Sequence, residues 1–342
     1  MSEGNLDWAN LGFGYMPAEK RYISNYTNGE WDDGILSGDP NVVLNECAGV
    51  LQYAETIFEG LKAYRTKDGQ IVTFRPDQNA QRLNDSARRL MMPELPKEKF
   101  LEALNQVVAA NRDFVPPYGS GATLYIRPYM FGTNPVIGVK RADEYQFRMF
   151  VTPVGPYYSE GAKPVVIRIT EYDRAAPHGT GNIKAGLNYA MSLYPIEEAH
   201  RLGYAENMYL DATTRSKVEE AGGANFIFIT KDKKLVTPKS DSILPSITRR
   251  SLMHVAKEYL GMETQEREVH VSELSGFKEC GLCGTAAVIS PIGRIDYHDE
   301  QIYFESGMDH MGEGLQKLYD TLTGIQMGEI PAPKGWIHRI NL

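Results

Sequence analysis

The stretch "GTGNIKAGLNYA", residues 179–190, places one lysine, Lys184, behind Gly179 and Gly181, ahead of Gly186, and five residues before Tyr189. A lysine becomes a nucleophile when its ammonium is desolvated or set near another cation, because both favour the neutral amine. Flanking glycines let the backbone approach a bulky planar group. Taken alone, Lys184 also reads as a solvated loop lysine, so the rest of the chain has to decide. "GTGNIK" comes near the dinucleotide fingerprint GxGxxG. Lys184 stands where the third glycine is needed for close helix–strand packing, which disfavours a dinucleotide oxidoreductase.

Working outward, "VVIRITEYDR" (165–174) reads as the strand before the lysine loop, and 187–202 as the helix after it, closed by Gly203. "NFIFITKDKKLVTP" (225–238) has the pattern of a β-hairpin, and 242–261 turns from a loop into a helix ending at Gly261. In the first half, 49–65 and 69–76 read as mostly extended, with Asp68-Gly69 as the turn between them. Two helices follow. The first, 77–92, spaces Leu83, Ala87, Leu90 and Met91 by threes and fours; the second, 97–113, sets Phe100, Leu101, Leu104, Val107 and Val108 on one face. At 122–133 the period changes to two, so Tyr125, Arg127 and Tyr129 share one strand face and Leu124 and Ile126 the other. Another strand spans 144–154, and the Gly- and Pro-rich 155–164 reads as a linker. Strands and scattered helices without regular βαβ alternation give an α/β (α+β) chain in two domains, 1–154 and 165–342.

Length and composition agree. At 342 residues the chain exceeds what one core usually serves. Its 36 basic against 44 acidic residues, net −8, argue against a nucleic-acid surface but not against a local pocket for a small anion. No apolar run approaches the ~20 residues needed to cross a bilayer, and "MSEGNLDWAN" lacks the features of a signal peptide. Three cysteines rule out a disulfide framework and fit a reducing cytoplasm. There is no P-loop and no HExxH pair, and no metal is expected.

Several other pieces carry chemistry in combination. "LPSITRR" (244–250) has the form of an anion cup, with Ser246, Ile247 and Thr248 where a helix begins. "CGTAAVIS" (283–290) adds a small-residue turn with the hydroxyl and amide of Thr285. Glu219-Glu220 run directly into "AGGANFIFI", so one of them points inward and needs a cationic partner. Cys280 and Cys283 form a lone CxxC, read as two buried small residues.

Together, "YAETIFEGLKAYR", "FRPDQNAQRLNDSARRL", "LYIRP", "DRAAPHGTGNIKAGLNYA", "EEAGGANFIFI", "SILPSITR" and "CGTAA" resemble, in this order, the branched-chain amino acid aminotransferases among the fold-type-IV pyridoxal phosphate enzymes. The resemblance covers most of the chain and implies the two-domain architecture of that family, with pyridoxal 5'-phosphate at the domain interface. It implies that Lys184 forms the internal Schiff base and shuttles the α-proton, Glu220 pairs with the pyridine nitrogen, and Tyr189 bonds the phenolic oxygen. It further implies Arg82 on the phosphate, from the polar side of its helix, with Ile247, Thr248 and Thr285 completing the cup. Leu244 would pack on the ring and Arg174 line the site.

For substrate, the same comparison puts Tyr53, Phe58 and Tyr189 around an apolar pocket. Tyr125 with the amides of Thr285 and Ala286 would hold the α-carboxylate, and Arg127 would reach glutamate's side-chain carboxylate. Phe13 and Tyr157 would close the pocket. The implied reaction moves the amino group of leucine, isoleucine or valine to 2-oxoglutarate, in a homodimer whose first domain contributes residues across the interface. The rivals are a D-amino acid aminotransferase or aminodeoxychorismate lyase on the same fold, or a non-catalytic binder of the cofactor or phosphate. The family's mammalian members carry a redox CxxC after the Gly-Thr-Ala turn, where this chain reads "AAVIS", so redox control does not carry over. Gly223 also replaces a threonine that those members place near the substrate.

Overall fold

The strand Thr123–Gly132 is the spine of the first sheet, paired along its length with Tyr145–Val154. Period-two alternation gives it two unlike faces. Leu124 and Ile126 join Leu61, Ala63, Phe147, Met149 and Val151 in a core covered by Leu83 and Ala87 of the helix Pro76–Arg89 and by Phe100, Leu104, Val107 and Val108 of the helix Lys97–Ala110. Tyr125, Arg127 and Tyr129 lie on the opposite face. The computed structural model describes residues 7–8, 11–155 and 162–342. The central part of the expected linker and Tyr157 therefore lie outside the described residues.

The chain divides into two compact units, and not at a single boundary. The first comprises Met1–Ser159, Ile183–Leu187 and Ile325–Leu342; the second comprises Glu160–Asn182 and Asn188–Gly324. The lysine segment clusters with the first unit because Phe58 donates its N–H to the Lys184 carbonyl at 3.0 Å and Ile57 bridges Ala185. The C-terminal segment does so because its strand Ile337–Arg339 pairs antiparallel with Ile71–Phe74 at the edge of the first sheet. Among the described residues that sheet has nine strands and the second unit's has eight, mixed parallel and antiparallel. The second core is built on Ile167, Phe226, Phe228, Val236, Ile292 and Ile295, with Phe228 stacked on Phe277 at 4.6 Å.

Some local expectations change. Residues 49–65 are not all extended: Gly49–Tyr53 is a short helix that ends where Ala54 adopts φ +51°, before Thr56–Phe58 and Leu61–Arg65 begin. The helix expected over 77–92 ends at Arg89, so Met91, in a left-handed conformation, is exposed beyond it. The helix expected over 187–202 is two pieces, Gly186–Ala190 and Leu193–Arg201. Pro195, in the first turn of the second piece, has no N–H to continue a ladder from the first.

Among the described residues one lysine is buried in the first sheet. Lys62 lies directly opposite Tyr125 across the strand pair, and burial pushes its pKa down to about 8. Below about pH 8 the lysine is protonated both folded and unfolded, and the full cost of burying the charge is felt. Between there and its ordinary value near 10.4 the unfolded chain binds more protons, so stability rises with pH. Lys62→Met is expected to stabilise the protein at neutral pH by roughly 3 kcal/mol, with the advantage shrinking as pH climbs toward about 10. Urea unfolding of both proteins across that range reads the difference; a difference that does not move with pH contradicts the assignment.

Candidate functional site

The first unit contributes a lysine held by its own peptide. Lys184 donates its backbone N–H to Ser86 Oγ at 3.0 Å and accepts at its carbonyl from Phe58. Gly186 follows because a Cβ there would stand 2.9 Å from Thr56 Cγ2. Gly181, in the second unit, is small for a similar reason: a Cβ would fall 2.2 Å from the Ser242 carbonyl oxygen and 2.6 Å from Ala175 Cβ. These two glycines give room to the chain itself. The Lys184 ammonium nitrogen lies 4.7 Å from the Phe58 ring centroid.

Arg82 is on the same helix as Ser86 and is buried, although the sequence placed it on the polar side. The difference is Glu59, wholly enclosed, whose carboxylate accepts from Arg82 Nε and Nη2 at 2.8 Å each and from Asn79 Nδ2 at 2.7 Å. A side-on pair of this kind fixes the plane of the guanidinium. Removing either charge alone would strand the other without compensation.

Tyr125 and Arg127 come together as the period-two pattern requires, and Phe58 joins them from the strand Thr56–Phe58. Arg127 donates from Nη2 to Tyr125 Oη at 3.1 Å, and its guanidinium carbon lies 4.8 Å from the Phe58 ring and 5.3 Å from the Tyr125 ring. Phe13 meets Tyr125 edge-on at 5.5 Å. Arg127 Nε is buried with no acceptor among the described residues. Tyr53 is held elsewhere: its hydroxyl donates to the Ile137 carbonyl on the loop after Gly132. Gly60, unnoticed in the sequence, is required here, since a Cβ would sit 2.2 Å from Tyr125 Oη.

The second unit separates the two adjacent glutamates. Glu220 is ion-paired through Oε1 with Arg174, accepts from the Leu244 N–H at 2.9 Å, and takes Asn225 Nδ2 on Oε2 at 2.6 Å. Arg174 Nη2 also holds the carbonyls of Gly181 and Ser242 at 2.7 and 2.9 Å, which gives this arginine a definite contact set. Glu219 has the Ser240 hydroxyl at 2.9 Å, and burial raises its pKa. Tyr189 is half-buried on Gly186–Ala190, its carbonyl accepting from Ser192 N–H.

Ser246 caps the helix Ile247–Glu258 by accepting from the Arg249 N–H at 3.1 Å. The cap leaves the first-turn amides of Ile247 and Thr248, both buried residues, as the donors of that terminus. Thr285 and Ala286 form the turn between the strands Phe277–Gly284 and Val288–Tyr297. Burial raises the thiol pKa of Cys280 and, to about 12, of Cys283, and both are free, as expected of inert small residues. Among the described residues there is no cluster suited to a metal ion and no helix long and apolar enough to cross a membrane.

The chain is similar to known proteins over nearly its whole length. Residues 56–295 match the family model of amino-transferase class IV. A branched-chain-amino-acid aminotransferase of Haemophilus influenzae is 50% identical over 98% of this chain and 99% of its own length. One from Helicobacter pylori is 47% identical, covering 98% of each. Among solved structures, the branched-chain amino acid aminotransferase of Escherichia coli superposes with a TM-score of 0.79 at 27% identity, over 95% of this chain and all of that one. The pyridoxal-phosphate form from Thermobaculum terrenum gives 0.78 at 25%, over 95% and 99%.

Proposed function

The chain belongs to the class IV aminotransferases, among their branched-chain members, and from that premise we propose that it binds pyridoxal 5'-phosphate and transfers the amino group of leucine, isoleucine or valine to 2-oxoglutarate. The observation that carries the substrate choice is the cluster of Phe58, Tyr125 and Arg127 beside the Lys184 amine, in which an aromatic wall and one under-bonded guanidinium share a strand face. An isobutyl group packs against rings, while a second carboxylate wants the arginine. With an apolar substrate the guanidinium stays stacked on Phe58 and Tyr125.

Each unit supplies residues whose chemistry suits a part of the cofactor, as the family resemblance assigns them. Lys184 Nζ would hold its aldehyde carbon. Arg82, the first-turn amides of Ile247 and Thr248, and Thr285 would hold the phosphate. Glu220 would meet the ring nitrogen, its charge compensated by Arg174; Tyr189 would meet the phenolic oxygen and Leu244 the ring face. When bound, the cofactor supplies an electron-withdrawing ring that stabilises negative charge at the substrate α-carbon. Lys184 Nζ would take and carry the proton of that carbon. Tyr125 Oη and the amides of Thr285 and Ala286 orient the α-carboxylate.

We further propose a homodimer in the cytoplasm, where the three cysteines stay reduced. Val43, Ile137 and Val139 are 94, 81 and 91% exposed on the surface of the first unit, Leu51 and Tyr53 are exposed there too, and exposed apolar side chains are what a partner covers. Tyr53 on that surface suits a residue that serves the partner's pocket.

Visible absorption before and after L-leucine, with no oxo acid, tests the reaction: the lysine-linked band is expected to give way to that of pyridoxamine phosphate. An unchanged band with leucine but a response to D-alanine would move the chain to the D-amino acid enzymes of the same fold, and no band after adding pyridoxal phosphate would remove the cofactor assignment. Lys184→Ala is expected to abolish turnover while retaining phosphate-dependent binding. Arg127→Leu should lower kcat/KM for glutamate by about 100-fold, in the range found when a buried polar partner is lost, and leave leucine within a few-fold; equal losses would count against its role. Ile137→Asp with Val139→Asp should halve the mass measured by sedimentation.

A further inference from the structure

Ser86 joins, through its hydroxyl, two of the residues assigned to the cofactor, Arg82 and Lys184. It is fully enclosed in the interior of the helix Pro76–Arg89, beside Ala87, where alanine is the better helix former and a hydroxyl is costly unless bonded. Its hydroxyl is bonded in a fixed sense. Oγ–H donates to the Arg82 carbonyl at 2.9 Å, one turn back, so the oxygen's lone pairs are turned to the Lys184 N–H at 3.0 Å. Arg82 is in turn gripped by Glu59, Glu59 follows Phe58 in the chain, and the Phe58 N–H holds the Lys184 carbonyl.

These contacts close a ring: Lys184, Ser86, Arg82, Glu59, Phe58 and back to Lys184. Every link is the chain itself, a backbone bond or a charge-assisted bond, except the two that the Ser86 hydroxyl makes. Both peptide groups of Lys184 are thereby pinned, and only its side-chain torsions remain to place the amine. The same helix that pins the lysine carries the guanidinium assigned to the phosphate. We propose that Ser86 is a positioning residue for Lys184, and that with Glu59 it sets the spacing between the amine that moves the proton and the arginine that anchors the phosphate. The inference rests on the aminotransferase reading and deepens it.

The two ends of the ring separate in experiment. In the Ser86→Ala holoenzyme, kcat for leucine is expected to fall about 10- to 100-fold, because a misplacement of about 1 Å costs on that order. The KM for leucine, the cofactor content and the midpoint of thermal unfolding should stay close to wild type. The pH midpoint of the visible band should shift, since it reports the surroundings of the lysine nitrogen. Glu59→Gln should behave in the opposite way, with the pyridoxal phosphate concentration for half-loading raised at least tenfold and the band midpoint unchanged once loaded.

Should Ser86→Ala not fold, Ser86→Cys, which keeps a weak donor and acceptor, is read in the same way and should show smaller changes of the same sign. A wild-type kcat and band midpoint in the folded Ser86 variant would overturn the proposal, as would losses of kcat, cofactor and thermal stability in parallel. Failure of the aminotransferase reading is recognised separately, by wild-type protein that takes up no pyridoxal phosphate or leaves leucine unchanged; if the cofactor loads without leucine turnover, the band midpoint still decides the role of Ser86.

Discussion

The peptide of Lys184 is bonded on both sides, to a hydroxyl on a helix and to an amide on a strand, and the arrangement of the first unit follows from that clamp. Five residues, Ile183–Leu187, leave the company of their sequence neighbours to complete it. The glycines around the lysine answer the same demand. Gly186 yields to Thr56, and Gly181 yields to the Ser242 carbonyl, which Arg174 also binds. A reactive side chain on a loop is useful only if the loop is held, and here the hydrogen bonds fall on both sides of the lysine's own peptide.

Each unit also buries one arginine–glutamate pair, and each pair is surrounded by further donors. Glu59 takes two bonds from Arg82 and one from Asn79; Glu220 takes Arg174, the Leu244 amide and Asn225. Such pairs give little net stability, because desolvation offsets the attraction. What they give is geometry. A carboxylate with three donors cannot rotate without breaking one, and a guanidinium in a fork keeps its plane. Glu219, one residue away, takes a single hydroxyl bond from Ser240, and burial raises its pKa.

The sequence carried the parts that depend on local spacing. Period-two alternation put Tyr125 and Arg127 on one face, and the three-and-four spacing found the two long helices Pro76–Arg89 and Lys97–Ala110. Helix ends were legible where a glycine or a cap marks them, as at Gly203 and Ser246. The parts that depend on distant partners were not legible. Nothing near Arg82 announces Glu59 twenty-three residues earlier, so the arginine read as polar-side. Ser86 looked like any small residue in a helix, since its acceptor role is to an amide ninety-eight positions away. The short helix Gly49–Tyr53 escaped because its aromatic and branched neighbours have strand character and its end depends on one left-handed alanine, Ala54.

The strand Ile337–Arg339, close to the end of the chain, is an edge strand of a sheet whose other members lie between residues 21 and 154. On a ribosome, the first sheet therefore waits through the synthesis of the entire second unit with the Ile71–Phe74 edge unpaired. The first unit to emerge is the last to close. An apolar strand such as "IVTF" held open for that long is a template for intermolecular pairing. The burden of keeping nascent chains apart thus falls on whatever shields that edge until the terminal segment arrives.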